Sequence, residues 1–206
     1  MTVSTREKLH IGELYIAADE ELLQEQAGYL ERLYDFNHTH PGEAERRRAI
    51  LQELFAEFGE DSYIEPPFHA NWGGRHVHFG KGVYANFNLT VVDDTHIYVG
   101  DYTKFGPNVV LASAGHPLCP ELREKGYQFN LPIRIGKGCW LGSGVLVMPG
   151  VRIGDGSVVG AGSVVTRDIL PGVLAVGNPC RVLRELDERD RKYYFRDREI
   201  DGIVWE

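Results

Sequence analysis

The chain has 206 residues, 43% of them hydrophobic, and 22 basic against 30 acidic side chains leave a formal charge of −8. That balance argues against a nucleic-acid binder, which carries a basic surface, and no apolar run approaches the roughly 20 residues of a membrane-spanning helix. The opening residues hold no apolar stretch of signal-peptide length, and Cys119, Cys139 and Cys180 form no CxxC pair, so a reducing cytoplasmic location is expected.

Residues 1–62 read as helical. Ser4 and Glu7 have the spacing of a capping box. Leu22, Leu23, Leu30, Leu33 and Phe36 recur at helical spacing over 20–36. Ile50, Leu51, Leu54, Phe55 and Phe58 repeat the signal over Glu43–Phe58. Pro41–Gly42 separates the two helices and Gly59 ends the second. Helices of this size cannot bury both faces alone, so a cap on the first turn of the following domain is their expected role.

Over residues 63–185 a different period takes over, strongest between Ile135 and Val182. Ile135, Leu141, Val147, Ile153, Val159 and Val165 stand six apart, and Cys139, Val145, Val151, Ser157, Ser163 and Ile169 follow four places after each. A period of six fits neither a helix nor an ordinary strand. It fits a mainly β solenoid of short flat faces, three to a turn, with the aliphatic residue inside. Gly136, Gly142, Gly154 and Gly160 follow the aliphatic residue and are expected to take backbone angles that other residues resist. The pattern starts weakly near Ile64, slips at Asp93–His96 and vanishes over 117–132. A loop of that length in a repeat protein is functional or disordered, and this one departs at His116. Residues 186–206 predict a charged helix over the open end of the coil, then a tail that reads equally as strand or loop.

His116 takes an outward position where wall and loop make a cleft. An imidazole there can accept a proton from a hydroxyl near neutral pH, although its position alone suits a surface histidine equally well. His76 with His78, and His38 with His40, could each begin a metal site, but neither pair has a third ligand at a convincing spacing.

The segments NFNLTVVDD, AGHP, IGKGCWLGSGVLVMPGVRIGDGSVVGAGSVV and GNPCRVLRE resemble the hexapeptide-repeat sugar O-acetyltransferases, with galactoside and maltose acetyltransferases the nearest kinds. GELYIAADEELLQEQ and YDFNHTHP extend the resemblance over nearly the whole chain. It implies a left-handed parallel β-helix and a homotrimer with sites between subunits. It also implies direct transfer of acetyl from acetyl-CoA to a galactoside, glucoside or maltose-type acceptor, at the 6-OH, with no metal. His116 becomes the general base, and Asn71, Asn86 and Asp94 hold the sugar. Ser143, Ala161, Thr166, Arg167, Arg181 and Arg184 hold CoA, with the Ser143 N–H donating to the oxyanion. Such arginines would give an acidic protein a local patch for phosphates. Without the family, the Asn and Asp residues read as corner chemistry and the arginines as solvated charge. Trp140 suits a cleft wall or a subunit contact. Ala17 stands where the galactoside enzymes carry an acidic residue, with Asp19 two places on, which leaves the acceptor's identity open. The rival readings are a hexapeptide acyltransferase with a non-sugar acceptor, a non-catalytic scaffold, and a hydratase resembling the γ-type carbonic anhydrases, with metal on His76, His78 and His116.

Overall fold

The hexapeptide pegs dictate the architecture. In this computed structural model, which describes residues 3–203, Ile135, Leu141, Val147, Ile153, Val159 and Val165 are all buried, as are the six residues four places after them. Their strands pair in parallel in three sheets, and the result is a β-helix. The first face stacks Glu57–Phe58, Val77–Phe79, Ile97–Val99, Ile133–Ile135 and Arg152–Ile153. The second runs from Tyr63–Ile64 through Tyr84–Ala85, Lys104–Phe105, Trp140–Leu141 and Val158–Val159 to Val173–Val176. The third holds Phe68–Ala70, Leu89–Val92, Val110–Ala112, Leu146–Val147 and Val164–Val165. Pegs on one face meet in register, as Leu141 does with Phe105 and Val159, so one continuous core fills the coil.

The glycines after the pegs serve a purpose other than the expected one. Their φ angles lie outside the left-handed region. What excludes a side chain is the approach of the next rung: a Cβ on Gly142 would sit 2.7 Å from the Ala161 nitrogen. Left-handed backbone falls instead on the second glycine of each corner, for example Gly144 at φ 69° and Gly162 at φ 69°.

At the N-terminal end, α1 (Thr5–Ile11) begins with the expected capping box at Ser4 and Glu7. Helices α2 (Glu20–Asn37) and α3 (Ala44–Leu54) cap the coil, adding Leu33, Phe36, Ile50, Leu51 and Leu54 to its core. The second of the two expected helices ends at Leu54 rather than Phe58. Phe55 is already extended, and Glu57–Phe58 pairs in parallel with His78–Phe79. An open sheet edge offers those residues ladder hydrogen bonds, and this outweighs their helical spacing.

The slip at Asp93–His96 is a corner built around a buried carboxylate. Asp93 accepts from the N–H groups of Trp72 (2.7 Å) and Gly74 (3.0 Å), and its burial pushes its pKa up to about 6. The inserted loop is ordered: α4 (Pro120–Glu124) leads into the strand Tyr127–Asn130. That strand lies between Ala114–Gly115 and Tyr15–Ile16 in a three-stranded antiparallel sheet. At the far end, Arg181–Glu185 folds back antiparallel to Val173–Val176. The terminal helix α5 (Glu188–Lys192) has only five residues. The segment after it, expected as strand or loop, is a hairpin of Tyr193–Phe195 with Arg198–Glu199, and the expected terminal helix is confined to α5, with Tyr193–Phe195 extended. Residues 204–206 of the tail lie outside the described residues. No helix among the described residues is long and apolar enough to cross a membrane.

Candidate active site

The corner between the third and first faces carries Asn71 and Asp94, which follow third-face strands, and His116, which follows Ala114–Gly115 just beyond the third-face strand Val110–Ala112. The coil therefore stacks them although they are far apart in sequence. They line one cavity of about 460 Å³ together with Gln128, Thr90 and His69. His116 is exposed, and its Nδ1 lies 3.0 Å from the carbonyl oxygen of Tyr127. A carbonyl can only accept, so Nδ1 carries the proton and Nε2 is left with a lone pair. This is the orienting partner that the sequence does not reveal, because it is a backbone group of the inserted strand.

The carboxylate of Asp94 is buried and engaged on two sides. Asn71 Nδ2 donates to both oxygens at 3.0 and 2.9 Å, and Gln128 Nε2 donates to Oδ1 at 3.3 Å. Behind these three residues lies a second cavity of about 230 Å³, closed by Tyr15, Ala17, Leu22 and Trp72. Gln26 also lines it and donates to the Asn71 carbonyl at 2.8 Å. Asp19 is spent elsewhere, capping α2 through the N–H groups of Glu21 and Leu22. Gln128, Tyr15 and Gln26 were not among the expected site residues. The signal for Gln128 is faint: Gln128 and Asn130 alternate as polar, inward residues on a two-residue period.

Asn86, Ser143 and Ala161 occupy the other edge of the third face, at its corner with the second. None of them lines the His116 cavity. Asn86 accepts from the Phe87 N–H at 2.8 Å. Ser143 and Ala161 stack on successive rungs, linked by Gly162 N–H to the Ser143 carbonyl at 2.9 Å. Their own N–H groups have no hydrogen-bond partner among the described residues. Within one chain the expected site residues thus fall into two groups, on opposite corners of one face.

Thr166 and Arg167 are exposed on the His116 side of the coil, several rungs on, and Arg181 and Arg184 lie on the antiparallel strand Arg181–Glu185. Among the described residues neither Arg167 nor Arg181 is in an ion pair, and Arg181 Nη1 donates to the Cys180 carbonyl at 2.7 Å. Arg184 is committed differently. Its guanidinium meets Asp190 with two bonds of 2.6 Å, and the hydrogen bond from Arg184 holds the Asp190 pKa down to about 2. Trp140 is exposed on the second face. Cys139 is buried, which raises its thiol pKa, so it is no nucleophile.

Four other histidines, His10, His76, His78 and His96, gather away from His116. His10 Nδ1 meets Thr95 Oγ1 at 3.0 Å, His76 Nδ1 donates to the Asp93 carbonyl at 2.7 Å, and His78 Nε2 lies 2.9 Å from His96 Nδ1. Burial lowers all four, His76 and His96 to about 4. Among the described residues no group of three or more His, Cys, Asp or Glu is placed to hold a metal ion. Within one chain His76, His78 and His116 do not converge as the hydratase reading needs: the first two are hydrogen-bonded to neighbours and the third lines another cavity.

A parallel β-helix of hexapeptide repeats with an N-terminal helical cap is the fold of the hexapeptide-repeat acyltransferases. Residues 8–59 match the model of the maltose acetyltransferase hexapeptide capping motif, and residues 132–167 match that of the bacterial transferase hexapeptide, six repeats. A galactoside O-acetyltransferase of Lactococcus lactis is 49% identical, with 94% of each chain covered. A galactoside acetyltransferase solved in complex with coenzyme A superposes with a TM-score of 0.94 at 44% identity, covering 98% of this chain and 100% of that one. A maltose O-acetyltransferase from Clostridium difficile gives 0.88 at 38% identity, covering 90% of this chain and 98% of that one. The chain belongs to the hexapeptide-repeat sugar O-acetyltransferases, the family of the galactoside and maltose enzymes.

Proposed function

We propose that this protein transfers acetyl from acetyl-CoA to a hydroxyl of a neutral sugar of galactoside, glucoside or maltose type, with the 6-OH as the accepting group. The observation that carries the reading is the His116–Tyr127 hydrogen bond beside the Asp94–Asn71 pair. A base with its lone pair on Nε2 stands next to a carboxylate and an amide, the pair of groups that recognises sugar hydroxyls. His116 Nε2 takes the acceptor's proton while that oxygen bonds to the thioester carbonyl carbon. The C–S bond then breaks, and the sulfur leaves with the proton returned from His116. The product is an acetyl ester and free CoA.

The two groups of residues meet if the molecule is a homotrimer. One subunit's His116, Asn71 and Asp94 would face the next subunit's Asn86, Ser143 and Ala161 across the gap between coils. The free Ser143 N–H then serves as the oxyanion donor, a role worth about 2.7–4 kcal/mol of barrier where it has been measured. The corner of Gly142, Ser143, Gly160 and Ala161 presents almost no side chain, which suits the thin pantetheine arm of CoA. Arg167 and Arg181, with Thr166, would meet its phosphates, and Arg184 would join them by leaving Asp190. The three unpaired cysteines suit a cytoplasmic enzyme, and no metal enters the reaction as written.

The test is thiol release from acetyl-CoA over a panel of neutral hexosides, with the site of acetylation read by NMR. Acceptor-dependent release with the ester on the primary hydroxyl is expected. Release that is indifferent to every sugar, but stimulated by an amine acceptor, would move the protein to the acyltransferases with non-sugar acceptors.

A further inference from the structure

The strand Tyr127–Asn130 serves two parts of the site at once. The Tyr127 carbonyl fixes the His116 tautomer, and one residue on, the Gln128 amide reaches the Asp94 carboxylate. Gln128 is only 8% exposed and lines both cavities. Its terminal amide can turn either an N–H or a carbonyl toward a neighbour, and only the N–H is attractive to Asp94. Asp94 selects the N–H end, and a second acceptor on the same nitrogen holds the amide there.

The group in place is the hydroxyl of Tyr15. Its residue is 3% exposed, and it stands directly opposite Gln128 in the antiparallel pairing of Tyr15–Ile16 with the inserted strand. The hydroxyl accepts from Gln128 Nε2 and, at 2.9 Å, from Asn130 Nδ2. Asn130 is itself tied to the Leu9 carbonyl at 3.1 Å and to the Asp94 carbonyl at 3.4 Å. The tyrosine ring packs with Leu9, Leu22 and Trp72 in a small core of its own, so the hydroxyl is held from both ends.

We propose that Tyr15 is a positioning residue of the acceptor site: it orients Gln128, which holds the Asp94 carboxylate against Asn71 at the wall shared by the two cavities. The N-terminal segment thereby sets acceptor affinity as well as capping the coil. This rests on the reading of Asp94 as an acceptor contact.

Tyr15→Phe keeps the ring and its apolar contacts and removes one oxygen. The Michaelis constant for the sugar is expected to rise about tenfold, the loss of one hydrogen bond in a charged network. The turnover number and the constant for acetyl-CoA should stay within about twofold, with the pH profile of turnover unmoved. Gln128→Glu supplies a second readout that a purely structural role would not produce. Two carboxylates would then adjoin, and the new side chain can donate to Asp94 only while it is protonated. In the Q128E protein the sugar constant should therefore fall as the pH is lowered, a slope absent from the unsubstituted enzyme. A crystal structure of Y15F should show the Gln128 amide turned away from Asp94. An unchanged sugar constant in Y15F, a flat pH response in Q128E, or an unmoved Gln128 would each overturn the proposal. If the unsubstituted protein released no thiol with any sugar, the acceptor reading would fail by itself, and the Y15F structure would still decide whether Tyr15 positions Gln128.

Discussion

If the active site is shared between subunits, two impaired proteins should rescue one another. The perturbations are His116→Ala and Asn86→Ala, which act on opposite corners of the third face. His116→Ala removes the base, a loss of about 10²–10⁴ in turnover. Asn86→Ala removes an acceptor contact, at roughly 1–3 kcal/mol or about 5- to 150-fold in kcat/KM. In trimers assembled at random from equal amounts of the two chains, a site works when its histidine comes from an Asn86→Ala chain and its asparagine from the neighbouring His116→Ala chain. Each condition holds half the time, so about one quarter of the sites should regain full activity in a closed ring of subunits. A site built within one chain would regain none. The assay is thiol release after the two proteins are refolded together, set against the same proteins refolded apart. A mixture no more active than the mean of its parents would refute the shared site.

Other consequences can be measured without mixing chains. Leu141 is a fully buried peg between Phe105 and Val159; Leu141→Ala should cost about 2–5 kcal/mol in chemical unfolding, and a loss below about 1 kcal/mol would argue that the coil core is loosely packed. The His10–His76–His78–His96 group is held below the free imidazole value by burial, so the unfolded chain binds the extra protons. Its contribution is present above about pH 6.5 and is lost as the pH falls toward 4. Arg6, Arg75 and Arg134 add to the repulsion, Glu57 opposes it for His78, and Asp93, raised to about 6, works in the other direction. Melting temperatures of the protein and of a His76→Gln, His96→Gln variant should therefore diverge in slope between about pH 6.5 and 4.5, and parallel curves would contradict this. Finally, Asp190→Asn weakens the hold on Arg184; the Michaelis constant for acetyl-CoA should fall by a few-fold, and no change would remove Arg184 from the phosphate site.

The coil was legible because a six-residue period has only one compact solution. Each peg from Ile135 to Val165 can be placed inside from its spacing alone, and so can the small residues after it. The glycines were legible by position but not by cause: sequence shows that Gly142 has no side chain, not that the next rung passes where one would be. Phe58 misled for a related reason. Its spacing is helical, and only the open edge at His78–Phe79, formed by residues later in the chain, draws it into a strand. The C-terminal helix was expected, but its early end at Lys192 and the hairpin after it escaped because charged, aromatic residues carry no clear period. In the site, side chains at corners could be found by motif, whereas the Tyr127 carbonyl and the Tyr15–Gln128 contact could not. Both depend on a strand inserted by the loop, and a pairing between residues 15 and 128 leaves no trace in local pattern. The separation of Asn86, Ser143 and Ala161 from His116 likewise emerges only when the rungs are stacked.

The most direct test of the account is steady-state thiol release from acetyl-CoA by the protein and by His116→Ala, with a neutral hexoside as the acceptor. Acceptor-dependent turnover in the unsubstituted protein is expected to fall at least about a hundredfold in the variant, with CoA binding retained. Equal turnover in the two proteins would contradict it.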